Sequence, residues 1–70
     1  MMGMKTLKIR GMRGAHCERA VYDSLSHIAG VTNVSVSEKK GIITFRYDSE
    51  HATLMAIKDA ITDEGYDVIG

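Results

Sequence analysis

The hydrophobic positions of this chain change period four times along its length. In "KTLKIR", Leu7 and Ile9 fall on one face and Lys8 and Arg10 on the other, the signature of a half-buried strand that Gly11 ends. From about Ala15 the spacing lengthens. Cys17, Val21, Leu25 and Ile28 recur at intervals of four, four and three, the stripe of an amphipathic helix. Gly30 is the expected C′ residue of that helix, and His27 is expected in its last turn, where the dipole favours positive charge. "VTNVSVS" alternates again through Val34 and Val36, "EKKG" signals a tight turn, and the β-branched and aromatic "IITFRY" reads as the returning strand. Asp48 or Ser49 is placed to cap a second helix, with Leu54, Ile57 and Ile61 as its inner stripe and Ala56 and Ala60 beside it. Gly65 ends that helix, and "YDVI" is a short last strand.

The order β-α-β-β-α-β, joined by right-handed crossovers, predicts an α+β, ferredoxin-like fold: a four-stranded antiparallel sheet with two helices on one face. Residues 1–70 are expected to form one domain with its core over about residues 5–68. That topology gathers distant positions. The loop 11–16, the turn 39–41 and the pair 65–66 should share one end of the sheet.

Charge and composition narrow the partners. Nine basic and nine acidic side chains cancel, so the clustered positive excess that phosphate binding leans on is missing, and no nucleic-acid partner is expected. A single cysteine rules out an internal disulfide and fits a reducing cytosol. The opening "MMGMKTLKIR" lacks the apolar run of about 7–15 residues of a signal peptide. No segment approaches the ~20 apolar residues that span a bilayer. The expectation is a cytoplasmic protein without membrane insertion. No Ser-His-Asp set, phosphate-cradling glycine loop or convergent acid pair is visible, so an enzyme is not expected.

The chemistry concentrates in "GMRGAHCERAV", residues 11–21. Cys17 falls in the first helical turn, where free N–H groups, the positive dipole end and nearby Arg19 favour a thiolate, a soft metal ligand and nucleophile. The plainer reading is a buried packing cysteine. His16 offers an imidazole, which suits copper and zinc, but adjacent helical residues point about 100° apart and do not readily converge on one ion. Met12 offers a soft thioether or a core contact. The other methionines form no spaced ligand cluster. His27 and His51 read as surface residues. Lys39 and Lys40 read as a solvated hairpin tip that could steer an acidic partner.

Together, "GMRGAHC", "GVTNVSVS", "ITFRYD" and "AIKDAITDEGYDV" resemble the heavy-metal-associated domain of copper chaperones and of the N-terminal modules of heavy-metal-transporting P-type ATPases. That family opens on G-M-x-C-x-x-C followed by spaced apolar residues. Gly11, Met12, Cys17, Val21 and Leu25 match it in register, while Gly14 stands at the position of the first cysteine. The resemblance implies Cu(I), or Zn(II) or another soft heavy metal, held by paired thiolates. It makes Cys17 the metal ligand, with Gly14 and Tyr66 beside the site, while His16 and Met12 stand as candidate helpers on their own side-chain chemistry. Tyr66 matches the aromatic that bacterial-type members carry there. One thiolate needs a second donor: another copy of the chain, glutathione, or the cysteine of a partner such as a metal-transporting ATPase. The alternatives are a degenerate, metal-free protein-interaction module of the same fold, and a redox-responsive thiol.

Overall fold

A computed structural model describes residues 2–70. Its elements run β1 (Met2–Arg10), α1 (Gly14–Ser26), β2 (Val31–Ser37), β3 (Ile42–Asp48), α2 (Leu54–Asp63) and β4 (Asp67–Val68), and the sheet order is β2-β3-β1-β4 with antiparallel pairing. This is the ferredoxin-like arrangement that the period changes imply. Strand β1 begins at Met2 rather than Lys5, because its first residues pair with the end of β3, from Met2 opposite Asp48 to Lys8 opposite Ile42. Leu7 and Ile9 of β1 and Ile43 and Phe45 of β3 share one buried cluster with Val21 and Leu25 of α1 and Ile57 and Ile61 of α2. Both helices therefore cover the same sheet face. Each fully buried side chain of this size contributes about 1.5–3 kcal/mol before the entropy of ordering the chain is set against it.

Two helix boundaries and the alternation of one strand differ from expectation, each for a local reason. Helix α1 stops at Ser26 with His27 as its cap, and the His27 ring bonds the Asp23 carbonyl at 2.6 Å. Ile28 lies past the helix, where its N–H bonds the Leu25 carbonyl at 3.1 Å, yet it still packs on the core. Gly30, at φ 89°, belongs to the turn entering β2. Helix α2 is capped by Thr53, whose Oγ1 accepts from the Ala56 N–H at 3.1 Å. Asp48 instead closes the turn after β3, accepting from the Glu50 N–H at 3.0 Å and meeting the His51 ring at 2.8 Å. In β2 the alternation is broken by a bulge: the register shifts between Thr32 and Ser35, and Asn33 takes a φ of 54°, which Asn tolerates better than most residues. The extra residue lets Val31 and Val34 both turn inward.

The end of α2 positions the last element. The Gly65 N–H bonds the Thr62 carbonyl at 2.9 Å, and the Tyr66 N–H reaches back to the Ile61 carbonyl at 3.4 Å. This pair of bonds is a Schellman motif, and it needs Gly65 at φ 94°, where a Cβ would be strained. The chain leaves it with Tyr66 turned toward the start of α1. Strand β4 then pairs with Ile9 and Arg10, and the Ile69 N–H extends the contact to the Lys8 carbonyl at 2.8 Å. No helix among the described residues is long and apolar enough to cross a membrane.

Candidate metal centre

Three segments far apart in sequence meet at one end of the sheet. The Ile9 N–H bonds the Gly41 carbonyl at 2.7 Å, which ties the end of β1 to the β2–β3 turn. The Gly14 N–H donates to Glu38 Oε1 at 2.8 Å, and the Glu38 N–H donates to Glu18 Oε2 at 2.8 Å. Gly11 faces Tyr66 so closely that a Cβ there would stand 3.6 Å from the Tyr66 ring. The loop, the turn and the 65–66 pair thus form one edge. Glu38 engages the loop, whereas Lys39 and Lys40 stay exposed beside it.

Cys17 lies in the first turn of α1 and is half-buried. The half-buried Tyr66 phenol is its neighbour. A side-chain hydrogen bond with Cys17 is the largest influence on Tyr66, followed by burial and by the charges of Cys17 and Glu64, and together they push the phenol above its ordinary pKa. Tyr66 therefore stays protonated across the physiological range and keeps an O–H to offer the sulfur. Glu64 is itself fixed, since its carboxylate accepts from Ser24 Oγ at 2.5 Å.

The other predicted residues divide. Met12 is half-buried and packed on the core, the position of a structural methionine under the loop. His16 is exposed. Arg19 does not serve Cys17 as expected: its side chain is 80% exposed and its guanidinium sits 3.5 Å from Asp23, one turn further along α1. Gly14 is the first residue of α1 at φ 80°, with open space where a Cβ would project. His27 and His51 are exposed, and His51 lies against Gly30 in the connection to β2, away from the loop edge. Among the described residues, no three His, Cys, Asp or Glu side chains gather as a metal-holding group.

Glu38 and Glu18 are the contributors that sequence reasoning missed. "EKKG" signalled only a turn. The usable clue was Arg13, which precedes the helix and has no acceptor atom to cap it.

The sequence matches the heavy-metal-associated domain over residues 6–67. The chain belongs to that family. Among its relatives, the copper chaperone CopZ of Staphylococcus aureus is 38% identical over 68 residues, which cover 97% of this chain and all of the relative. A solved CopZ metallochaperone superposes with a TM-score of 0.92 at 37% identity, covering 96% of this chain and 100% of that one. The N-terminal domain of a potential copper-translocating P-type ATPase from Bacillus subtilis, solved in its Cu(I)-loaded state, gives a TM-score of 0.91 at 28% identity, covering 97% of this chain and 85% of that one. A metallochaperone and the N-terminal domain of a P-type ATPase therefore share this backbone.

Proposed function

We propose that this heavy-metal-associated domain binds a soft heavy-metal ion, Cu(I) foremost, through Cys17 and hands it on in the manner of a metallochaperone. The observation that carries the reading is the half-buried Cys17 in the first turn of α1 beside a protonated Tyr66. The copper chaperone relatives support the choice of ion. Thiolate sulfur is a soft donor that selects Cu(I) over harder cations. The ligand form of a cysteine is its thiolate, so protons compete with the ion for the sulfur and uptake weakens as pH falls. Tyr66 keeps its proton and so stands beside the sulfur without competing for the ion. Zn(II) is a poorer cargo here, because it prefers four ligands.

The second donor comes from outside the chain: glutathione, a second copy, or the cysteine of a metal-transporting ATPase. A shared ion of this kind is also a transfer intermediate, since an incoming thiolate can replace the borrowed one and then Cys17. Met12 and His16 are secondary candidates. Met12 would have to leave the core to bind, and His16 would have to turn from solvent.

One observation favours the metal-free interaction module instead. Gly14 stands where the family's first cysteine is expected, and its φ of 80° would strain a cysteine by about 1–2 kcal/mol. The deciding experiment is a Cu(I) competition titration with glutathione present, comparing the chain with its Cys17→Ala and Gly14→Cys variants. The metal reading expects measurable binding that Cys17→Ala abolishes and Gly14→Cys tightens to one ion per chain. A parent that does not compete at all ends the metal reading, and competition by Cys17→Ala equal to the parent's ends the role of Cys17 in it.

A further inference from the structure

We infer that Glu38, on the β2–β3 turn, is a positioning residue for Cys17: it clamps the first turn of α1 from both sides of the cysteine. The metal-binding consequence rests on the function proposed above, but the clamp does not.

The need for the clamp begins with Arg13. A helix leaves its first N–H groups without intrahelical partners, and a side-chain oxygen at the N-cap ordinarily takes one of them. Arg13 occupies the N-cap with extended backbone, and its guanidinium carries only donors. The first turn must be satisfied from elsewhere. Glu38 Oε1 accepts from the Gly14 N–H at 2.8 Å across 24 residues of sequence, and its negative charge suits the positive end of the helix dipole. The bond is returned. Glu18 Oε2 accepts from the Glu38 N–H at 2.8 Å, from a half-buried position. Gly14 precedes Cys17 and Glu18 follows it directly, so one residue of the hairpin holds both flanks of the sulfur-bearing turn.

Neither bond touches the sulfur. Their effect is geometric. They fix how α1 starts against the hairpin, and so where Cys17 stands relative to Tyr66, which the Schellman turn delivers from the other side. Without them the first turn is free to fray, because neither Arg13 nor Gly14 has a side chain able to hold it.

The test separates geometry from charge. Glu38→Ala removes acceptor and charge together, whereas Glu38→Gln removes the charge and keeps a carbonyl oxygen that can accept from Gly14. Three readouts apply: hydrogen exchange at the Gly14 amide, the rate of Cys17 alkylation by iodoacetamide, and Cu(I) affinity with glutathione present. Glu38→Ala is expected to speed both Gly14 exchange and alkylation by roughly three- to tenfold, the range one net hydrogen bond supports. It should weaken Cu(I) binding by a similar factor. Glu38→Gln should recover most of all three, with amides of the β1–β3 ladder protected throughout. If Glu38→Ala does not fold, Glu18→Ala removes the return bond alone and is expected to shift alkylation in the same direction by less. Parent-like alkylation in Glu38→Ala overturns the clamp, and so does a Glu38→Gln variant that behaves like Glu38→Ala. If the parent takes up no Cu(I), the metal reading falls, while the exchange and alkylation results still decide the role of Glu38.

Discussion

Helices α1 and α2 lie on the same sheet face, yet their first turns are held in opposite ways. Helix α2 is capped locally: Thr53 sits extended before it, and its Oγ1 takes the Ala56 N–H three residues on. Helix α1 begins behind an arginine with no side-chain cap, and its first N–H goes to Glu38 on a different element. The first kind of start can form as soon as its own residues turn helical. The second exists only when the hairpin has closed against the helix. The turn that carries the sulfur is thus the one whose order depends on tertiary structure, and the turn that carries no chemistry looks after itself.

The largest expected effects test whether the two helices are otherwise equivalent. Leu25 of α1 and Ile57 of α2 are both 0% exposed. Truncating either to alanine should destabilise the protein by about 2–5 kcal/mol, because each leaves a cavity that the close-packed surroundings fill only in part. Urea midpoints at a constant slope measure both losses. If the anchors rather than the caps hold the helices down, the two values are comparable. A loss well below that range at Leu25 alone would mean that α1 is already loosely seated, and the contrast between the two starts would extend through the whole helix.

The helix starts come next. Gly14→Ala should cost about 1–2 kcal/mol, since alanine pays the left-handed penalty at φ 80° even though nothing lies within 4 Å of the new methyl group. A neutral result in thermal melts would show that the loop readily adopts another backbone, and the barrier to restoring a cysteine there would vanish with it. Thr53→Ala should cost about 1 kcal/mol, and Thr53→Ser should return most of it, because the hydroxyl oxygen is what the Ala56 N–H needs. The sharper expectation concerns reactivity. Losing the Thr53 cap should leave the alkylation rate of Cys17 unchanged, and a clear acceleration would mean that the two starts communicate.

The same contrast explains what could be read from the residues. The element order and the buried stripe of Val21, Leu25, Ile57 and Ile61 follow from period changes that neighbouring residues impose on each other. The shared edge of loop, turn and Tyr66 followed from topology alone. The cap of α2 was also legible in principle, because Thr53 stands directly before the apolar run, but the acidic Asp48 drew attention and proved to be closing its own turn. Of the clamp on α1, only the missing acceptor at Arg13 was legible, not the residue that replaces it. Nothing in "EKKG" says that its glutamate reaches a helix 24 residues upstream, since such a bond is fixed only by how the hairpin lands. The bulge at Asn33 escaped for a related reason: a single inserted residue keeps the look of alternation while shifting its phase.

The smallest expected effects lie at the two extremes of pH, and they divide between the two ends of the sheet. Tyr66, beside α1, has its pKa raised chiefly by its hydrogen bond with Cys17. A raised value means that the folded state prefers the protonated phenol. Its stabilising contribution is therefore complete below the unfolded value near pH ~10 and is lost as pH climbs through the folded one. Asp48, in the turn leading to α2, has its pKa lowered, first by the Glu50 N–H and then by His51. Its contribution is present above the unfolded value near pH ~4 and is lost as pH falls through the folded one. Melting temperatures followed across both limbs should show Tyr66→Phe flattening only the alkaline decline and Asp48→Asn flattening only the acid one. Because the sulfur is the main cause at Tyr66, Cys17→Ala should also move the tyrosinate absorbance transition to lower pH. If that transition stays in place, the phenol and the sulfur are not bonded to each other, and the loop edge would have to be rebuilt around Glu38 alone.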